Sequence, residues 1–441
     1  MRRIVSDPVS SDGPPRGPRR WDDAAVPTTV TPTSVAPYDA ILLYSFGGPN
    51  GPEDVLPFLR NVTRGKNIPD ERLAVVGEHY AHFGGRSPIN AQNLELLEAL
   101  RGELARRGVS VPVAWGNRNW EPYTADALSG LRSEGAERVL AIVTSAYGSY
   151  SGCRQYRENL AATLVGLGAT TPTGGDGGAG LVVDKLRHYL NHPGFVRANA
   201  DAVVEAYTTL AERTGCSPAE AAAAPLVFVT HSIPTTMNDA SGAQRPRYLD
   251  QHLDVGALVA AQVGERLGHP VEWTLAFCSR SGPPSQPWLE PDVNDLLAER
   301  AAAGMRSVVL APIGFVSDHM EVAFDLDTEA LETARELGVE AVRAGTAGTR
   351  APFVEGLVDM VLERAAAERG EDAVRATVGA FDAWPDVCRP GCCRLRDGVD
   401  SGVPAACGSD EPASQADPAA PVPPAAHAVS HDDTSTTGAR R

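Results

Sequence analysis

The chain has 441 residues, 43% of them hydrophobic, and carries a formal net charge of −17 at pH 7. This length and apolar content allow two ordinary domains with real cores. The negative charge argues against nucleic acid and against an anionic membrane surface as partners, and without a run of about 18 apolar residues the sequence predicts no membrane span.

The first 37 residues are rich in Ser, Pro, Asp and Arg and contain no apolar segment. That composition cannot bury a core, and a signal peptide needs an apolar stretch. We therefore predict a disordered arm over 1–37 and a cytoplasmic protein.

The first predicted strand, over 38–46, leads into a turn with the sequence Gly-Gly-Pro. Such a turn lets the backbone approach a flat ligand closely, and it is equally typical of an ordinary tight turn. Neither of the glycine motifs that bind dinucleotides or nucleotide phosphates follows it. Helical patterns then cover 52–63, 70–82, 90–107 and 123–134, and strand patterns cover 111–116 and 139–145.

A loop rich in Gly and Ser follows the strand at 139–145 and carries Cys153 and Tyr156 into a new helix. A loop of this kind often holds an anion at the helix N-terminus, and the alternative is a flexible connector. Farther along, His188 and His192 stand four residues apart without a carboxylate in a metal-binding pattern, so we predict that both are surface histidines.

The strand predicted at 226–229 ends close to a histidine. Its continuous apolar run is typical of a strand covered on both faces in a parallel sheet. His231 follows at the carboxyl end, where open α/β sheets bind their ligands, and an imidazole there can take or give a proton near neutral pH. The alternative is a histidine that only caps the next turn.

A second apolar strand, over 307–311, precedes three carboxylates. Asp318, Glu321 and Asp325 stand at i, i+3 and i+7 of a predicted helix over 318–337, which places them in one column. Like charges so placed repel each other, so the column suits a cation or a mobile proton. The alternative is a solvated acidic face.

Strands alternate with helices in both halves of the chain. This pattern predicts an α/β protein of two doubly wound, Rossmann-like domains with parallel sheets, over 38–200 and 201–375. A cleft between two such domains is the default position of a ligand site.

The composition changes again near the C-terminus. We predict a cysteine-bearing segment over 376–408 and a disordered tail over 409–441, which is mostly Ala, Pro, Ser and Asp. Thiolates in the spacing C-x3-C-C suit zinc or an iron–sulfur cluster, and Cys153 is a further candidate ligand. The alternative is a set of reduced, unpaired thiols. Four of the seven cysteines lie in this segment: Cys388, Cys392, Cys393 and Cys407.

Five motifs together resemble the ferrochelatase family, in the family's order and spacing, across about 38–368. They are SFGGP at 45–49, GGRSPIN at 84–90, THSIP at 230–234, PWLEPD at 287–292 and SDHMEVAFDLD at 317–327. The cysteine pattern is similar to that of the actinobacterial members that carry a [2Fe–2S] cluster and use coproporphyrin III. The resemblance implies a class II chelatase-like fold and Cys153, Cys388, Cys392 and Cys393 as cluster ligands, with the choice among the four tail cysteines left open.

The activity implied by the resemblance is insertion of the substrate Fe²⁺ into coproporphyrin III, with release of two protons, in haem synthesis. His231 is then the base and an iron contact, and Glu321 is the other iron-side residue. Asp318 and Asp325 then extend from Glu321 as a path for metal or protons. His319 either belongs to the site or orients Glu321.

The resemblance also implies porphyrin contacts at Ser87 and Tyr156, with Arg64 and Tyr80 as candidates for its propionates. Phe46 occupies a position where some coproporphyrin enzymes have a tyrosine. Either the iron has no protein ligand on that side, or Tyr44 takes part.

Other functions stay open at this stage. They are a protoporphyrin IX ferrochelatase, a cobalt or nickel chelatase for another tetrapyrrole, and a non-catalytic porphyrin or haem carrier. The expected partners are the porphyrin and ferrous iron, with transient contacts to neighbouring haem-pathway enzymes.

Overall fold

The computed structural model describes residues 34–65, 68–169, 180–242, 245–282, 285–396 and 401–409. Nearly all of the predicted N-terminal arm and of the predicted tail over 409–441 lies outside the described residues. Among the described helices, none combines the length and apolar character that a membrane crossing requires.

The first half contains a parallel sheet with the strand order β2-β1-β3-β4. All six residues of β1 are buried, as its continuous apolar sequence predicts for a central parallel strand. The strands are β1 (Ala40–Ser45), β2 (Val113–Asn117), β3 (Arg138–Val143) and β4 (Val182–Lys185). The helices are α1 (Pro52–Val62), α2 (Asp70–His82), α3 (Ile89–Arg106), α4 (Thr124–Ser133) and α5 (Gln155–Gly166), the last preceded by a π-helical turn (Tyr150–Arg154).

The second half repeats this plan with the order β6-β5-β7-β8. Its strands are β5 (Leu226–His231), β6 (Trp273–Cys278), β7 (Ser307–Ala311) and β8 (Glu340–Arg343). Its helices are α6 (Pro193–Thr214), α7 (Pro218–Ala221), α8 (Thr235–Ser241), α9 (Tyr248–Leu267), α10 (Val293–Ala302), α11 (Met320–Phe324), α12 (Leu331–Glu336) and α13 (Ala351–Glu368). A π-helical segment (Asp325–Ala330) joins α11 to α12.

The two parallel sheets confirm the predicted α/β class. One hydrophobic core contains Ile41 of β1 and Phe228 of β5, so it reaches both sheets. Helix α6 runs continuously across the predicted boundary at residue 200 and packs on α9 and α13. The division into 38–200 and 201–375 stays a prediction.

The prediction of two surface histidines was wrong. His188 and His192 are each only 5% exposed. The segment that carries them is not helical, so the four-residue spacing does not place them on one helix face. His192 instead caps α6, where its Nδ1 accepts a hydrogen bond of 3.2 Å from the Gly194 amide.

Candidate active site

A cavity of about 1360 Å³, part of it open to solvent, is lined by residues of both halves. The chain reaches it just beyond the carboxyl ends of four strands: Phe46 follows β1, Thr144 follows β3, His231 ends β5 and Gly314 follows β7. Parallel strands of one sheet end at the same edge, which explains why these distant segments meet.

His231 is buried at the end of β5. Its Nδ1 makes a short hydrogen bond with the Ser232 carbonyl oxygen. Because a carbonyl oxygen only accepts, we assign the hydrogen to Nδ1, which leaves the lone pair on Nε2. That Nε2 lies 3.6 Å from Oε2 of Glu321. Burial lowers the pKa of His231 to about 4.

Glu321 stands in the first turn of α11, whose N-cap is His319. Nδ1 of His319 accepts a hydrogen bond of 3.2 Å from the Glu321 amide and lies 3.8 Å from Oε2 of the same residue. Burial raises the pKa of Glu321 to about 8, and the nearby Asp325 carboxylate adds to the rise. Burial lowers the pKa of His319 to about 4. At pH 7 the site therefore holds neutral imidazoles and a mostly protonated Glu321.

The predicted column of three carboxylates contains only two. Asp325 lines the cavity and accepts a short hydrogen bond from Ser279 Oγ. Asp318 precedes α11, so helical spacing does not apply to it. Its carboxylate is ion-paired at 3.2 Å with Arg343 of β8 and does not line the cavity. The placement of Asp318 in the column was wrong.

Most of the predicted porphyrin contacts line the cavity: Ser87, Tyr156, Phe46 and Tyr80. Arg64 does not. It is exposed, and its Nη2 donates a hydrogen bond of 2.7 Å to Asn61 Oδ1. Tyr44 is also outside the lining, since its hydroxyl donates to the Tyr156 carbonyl oxygen at 3.2 Å within a core cluster. Phe46, directly after β1, is therefore the one of these two aromatic residues that faces the cavity.

Only Tyr80 was predicted from the sequence on one wall of the cavity, the wall that helix α2 forms. Val76, His79 and Tyr80 of α2 all line it. The His79 ring stacks on Phe324, with centroids 3.9 Å apart and an interplanar angle of 6°. Val76, His79 and Tyr80 are spaced i, i+3 and i+4, which is the usual signal of one helix face. This spacing was visible in the sequence.

Four buried cysteines lie together on the other side of the loop before α5: Cys153, Cys388, Cys392 and Cys393. The Cys392 and Cys393 sulfurs are 3.5 Å apart. Hydrogen bonds with the thiols of Cys388 and Cys393 lower the pKa of Cys153 well below its usual range. Cys407 is next to this group but not in it: its carbonyl oxygen accepts a hydrogen bond of 3.3 Å from the Cys388 amide, and its thiol donates to the Val183 carbonyl oxygen at 3.2 Å.

Within the described residues, no group of three or more His, Cys, Asp or Glu side chains has the arrangement that would hold a single metal ion. Neither the cysteine group nor the described surroundings of His231 and Glu321 has such an arrangement. The roles of these residues in binding metal stay predictions.

A model of the ferrochelatase family matches residues 38–365. The chain belongs to the ferrochelatase family. It is 51% identical over 386 residues to a coproporphyrin III ferrochelatase of Streptomyces coelicolor, covering 86% of this chain and 98% of that protein. It is 49% identical over 372 residues to a coproporphyrin III ferrochelatase of Leifsonia xyli, covering 82% of this chain and 92% of that protein. The resemblance drawn from the sequence motifs is thereby confirmed.

Among solved structures, SirB from Bacillus subtilis with Fe³⁺ matches at a TM-score of 0.42 and 12% identity. The match covers 76% of this chain and 100% of that one. A score that low supports no inference about this ferrochelatase.

Proposed function

We propose that this ferrochelatase inserts Fe²⁺ into coproporphyrin III, giving Fe-coproporphyrin III and two protons, as a step in haem synthesis. The observation that carries the proposal is the 3.6 Å separation of His231 Nε2 and Glu321 Oε2 in a cavity of about 1360 Å³. The choice of coproporphyrin III is supported by relatives about half identical to this chain that bear that name.

Insertion requires two pyrrole N–H protons to leave the macrocycle while the metal enters. The lone pair on Nε2 of His231 is suited to accept such a proton. Because burial disfavours the imidazolium form, a proton taken by His231 leaves it readily. Asp325, which lines the same cavity, is the next acceptor.

Glu321 is suited to hold the incoming iron. Its carboxyl is protonated below about pH 8, so binding of Fe²⁺ releases that proton and converts it to a carboxylate ligand. Carboxylate and imidazole are both accepted by Fe²⁺. His319 holds the backbone of Glu321 as the N-cap of α11, which supports an orienting role for this histidine.

The porphyrin contacts in this proposal are the hydroxyls of Ser87 and Tyr156 and the rings of Phe46 and Tyr80. Within the described part of the chain, no Arg or Lys is among the cavity-lining residues. The side-chain donors on the lining are then neutral groups, among them the hydroxyls of Ser87 and Tyr156, and Arg64 contributes from outside the cavity.

We also propose that Cys153, Cys388, Cys392 and Cys393 hold a [2Fe–2S] cluster. Four buried thiols in one group fit the four-cysteine ligation that this cluster requires. The buried ammonium of Lys185 on β4 is a suitable counter-charge: burial lowers the pKa of Lys185, but the charges of the neighbouring cysteines, Cys388 and Cys153 first, outweigh burial and raise it. When bound, such a cluster carries one electron and cross-links the tail to the first half. Visible absorption with iron and sulfide analysis of anaerobically purified protein tests this assignment, and colourless, zinc-loaded protein would refute it.

Two further parts of the proposal concern the cell. We propose a cytoplasmic enzyme that makes transient contacts with neighbouring haem-pathway enzymes, because its substrate and product are reactive tetrapyrroles that have to be passed on. Cell fractionation followed by in-cell crosslinking tests both statements. An enzyme recovered only with membranes, or without crosslinks to such enzymes, would contradict them.

The activity is tested by anaerobic turnover of purified protein with Fe²⁺ and each of two porphyrins. We expect a higher kcat/KM for coproporphyrin III than for protoporphyrin IX. The reverse preference would make it a protoporphyrin IX ferrochelatase. A higher rate with Co²⁺ or Ni²⁺ would make it a different chelatase, and porphyrin binding without a single turnover would make it a carrier.

A further inference from the structure

The loop between β3 and α5 is a wall shared by two sites. Ser149, Ser151 and Tyr156 line the large cavity. Cys153, in the same π-helical turn, belongs to the buried group of four thiols. Ser149 Oγ accepts a hydrogen bond of 3.0 Å from the Gly152 amide and closes the turn. A shift of this short loop would therefore reach both sites.

The C-terminal residues 375–396 and 401–409, here called the strap, pack against the back of this loop. Trp384 is the largest of its buried side chains, at 2% exposure. Its indole lies on Gly148, where an added methyl group would come within 3.3 Å of the ring. The Gln251 side chain holds the same glycine, with hydrogen bonds of 2.8 Å and 3.0 Å to its amide and carbonyl. Gly148 is thus fixed between the strap and α9.

The strap is attached to the rest of the protein on both sides of Trp384. The Asn191 side chain donates to the Phe381 carbonyl oxygen at 2.8 Å. Arg375, itself at the start of the strap, bonds the Trp384 carbonyl oxygen at 2.9 Å and also contacts Glu363 of α13 at 3.1 Å. These bonds hold Trp384 in place.

A last attachment closes the strap beyond the cysteines. Arg157 Nε donates to the Ala406 carbonyl oxygen at 2.7 Å, and the Ala406 amide donates back to the Arg157 carbonyl oxygen at 3.0 Å. Arg157 belongs to α5, the helix that continues the shared loop. The strap therefore contacts this loop region at three points: Gly148, Cys153 and Arg157.

We infer that the strap positions the porphyrin-facing loop, with Trp384 as its central positioning residue and the four-thiol group as a second attachment. The inference rests on the proposed porphyrin-binding function. His231 and Glu321 lie on β5 and α11 in the other half, and so they are held by different contacts. Loosening the strap should therefore weaken porphyrin binding while leaving the chemical step nearly intact.

The test uses the full-length protein and the variants Trp384→Ala, Trp384→Phe and Val387→Ala. The last alters an exposed strap residue and serves as the control. Titration with metal-free coproporphyrin III reports affinity, and steady-state turnover separates KM from kcat. Hydrogen exchange of a peptide over 145–157 reports the loop, with a peptide over 307–311 as the internal reference.

We expect Trp384→Ala to weaken porphyrin binding about tenfold, to raise KM by a similar factor and to leave kcat within about twofold. Exchange should rise over 145–157 and not over 307–311. Trp384→Phe should restore most of the affinity, because a second aromatic ring can pack on Gly148. Val387→Ala should behave as the wild type.

Unchanged affinity and unchanged loop exchange in folded Trp384→Ala protein would overturn the inference, as would a loss confined to kcat. If Trp384→Ala does not fold, Cys393→Ser tests the second attachment with the same measurements, and wild-type values there would overturn the inference too. Failure of the wild type to bind any porphyrin would instead refute the proposed function, and the exchange comparison would still decide the role of the strap.

Discussion

Nε2 of His231 lies 3.6 Å from Oε2 of Glu321, although the two residues belong to different elements, β5 and α11. Both elements present these side chains beyond the carboxyl edge of the second sheet. Nε2 of His231 can accept one proton, and the protonated carboxyl of Glu321 releases one proton when it becomes a carboxylate ligand of a divalent metal.

The raised pKa of Glu321 predicts a specific dependence of stability on pH. The folded carboxyl has a pKa of about 8 against 4.5 for the ordinary group, so between these values the folded state holds a proton that the unfolded state has lost. The contribution of this carboxyl to the free energy of unfolding is then fully present below about pH 4.5, and it is lost as the pH rises through 8. Glu321→Gln, which mimics the protonated form, should gain in Tm relative to the wild type as the pH rises from 5 to 9. Thermal melts across this range measure the difference.

His231 and His319 titrate in both proteins, so their opposite contribution, gained as the pH rises from about 4 to 6.5, cancels in that comparison. Glu265→Gln on the exposed side of α9 is the control, and its Tm difference should be flat with pH. A flat difference for Glu321→Gln as well would contradict the buried, protonated carboxyl.

Two aspartates should differ in their effect on iron insertion. Asp325 lines the cavity, whereas Asp318 is ion-paired with Arg343 outside it. Asp325→Asn should lower kcat for iron insertion by about tenfold or more, because it removes a proton acceptor next to Glu321. Asp318→Asn should change kcat by less than about twofold while lowering Tm, since it leaves a partly buried Arg343 with one partner fewer. Equal losses of kcat in both variants would restore Asp318 to the proton path.

Gly314 allows the segment after β7 to pass close to Thr230 near the end of β5. A methyl group at this position would collide with the Oγ1 of Thr230 and lie 2.6 Å from its Cβ. Gly314→Ala should therefore cost about 1–3 kcal/mol of unfolding free energy by overpacking and should reduce turnover by displacing the neighbouring His231. Gly102→Ala, in α3 with no atom within 4 Å of the added methyl group, should be neutral or slightly stabilising. Denaturant melts of both variants make the comparison, and a stable, fully active Gly314→Ala protein would argue against this close contact.

The grouping of the thiols predicts which cysteines retain iron. Cys393→Ser should purify with little iron and sulfide, because Cys393 lies in the group of four. Cys407→Ser should retain both in full, since the Cys407 thiol bonds the Val183 carbonyl oxygen instead. Iron and sulfide analysis with visible spectra distinguishes the two. Loss of the cluster in Cys407→Ser with retention in Cys393→Ser would reverse the assignment.

Much of the fold could be predicted because buried parallel strands leave a plain signal. The apolar run before His231 and the one at 307–311 had to be strands covered on both faces, and the structure has them as β5 and β7. Helix α2 has the predicted bounds, with acidic residues in its first turn and histidines in its last. By contrast α7 and α8, at 4 and 7 residues, are too short to show a helical period.

The π-helical segment after Phe324 was missed because its i to i+5 bonding has no pattern in the sequence.

The site residues also fall into those that the sequence could reveal and those that it could not. His231 and Glu321 could be found because each follows a recognisable strand, and strands of one parallel sheet end at one edge. Asp318 was misplaced because its partner, Arg343, comes from another strand and no local spacing reveals it. Cys407 could not be separated from the other tail cysteines for the same reason, since their grouping depends on how the strap folds back.

The most direct test of the account is iron insertion by His231→Ala, measured together with its porphyrin affinity under anaerobic conditions. His231 is assigned to proton removal and iron contact rather than to holding the ring. We therefore predict that the rate of a single turnover falls by about a hundredfold or more, while the Kd for metal-free coproporphyrin III stays within about threefold of the wild type. A variant that inserts iron at the wild-type rate would contradict the central role of the contact between His231 and Glu321.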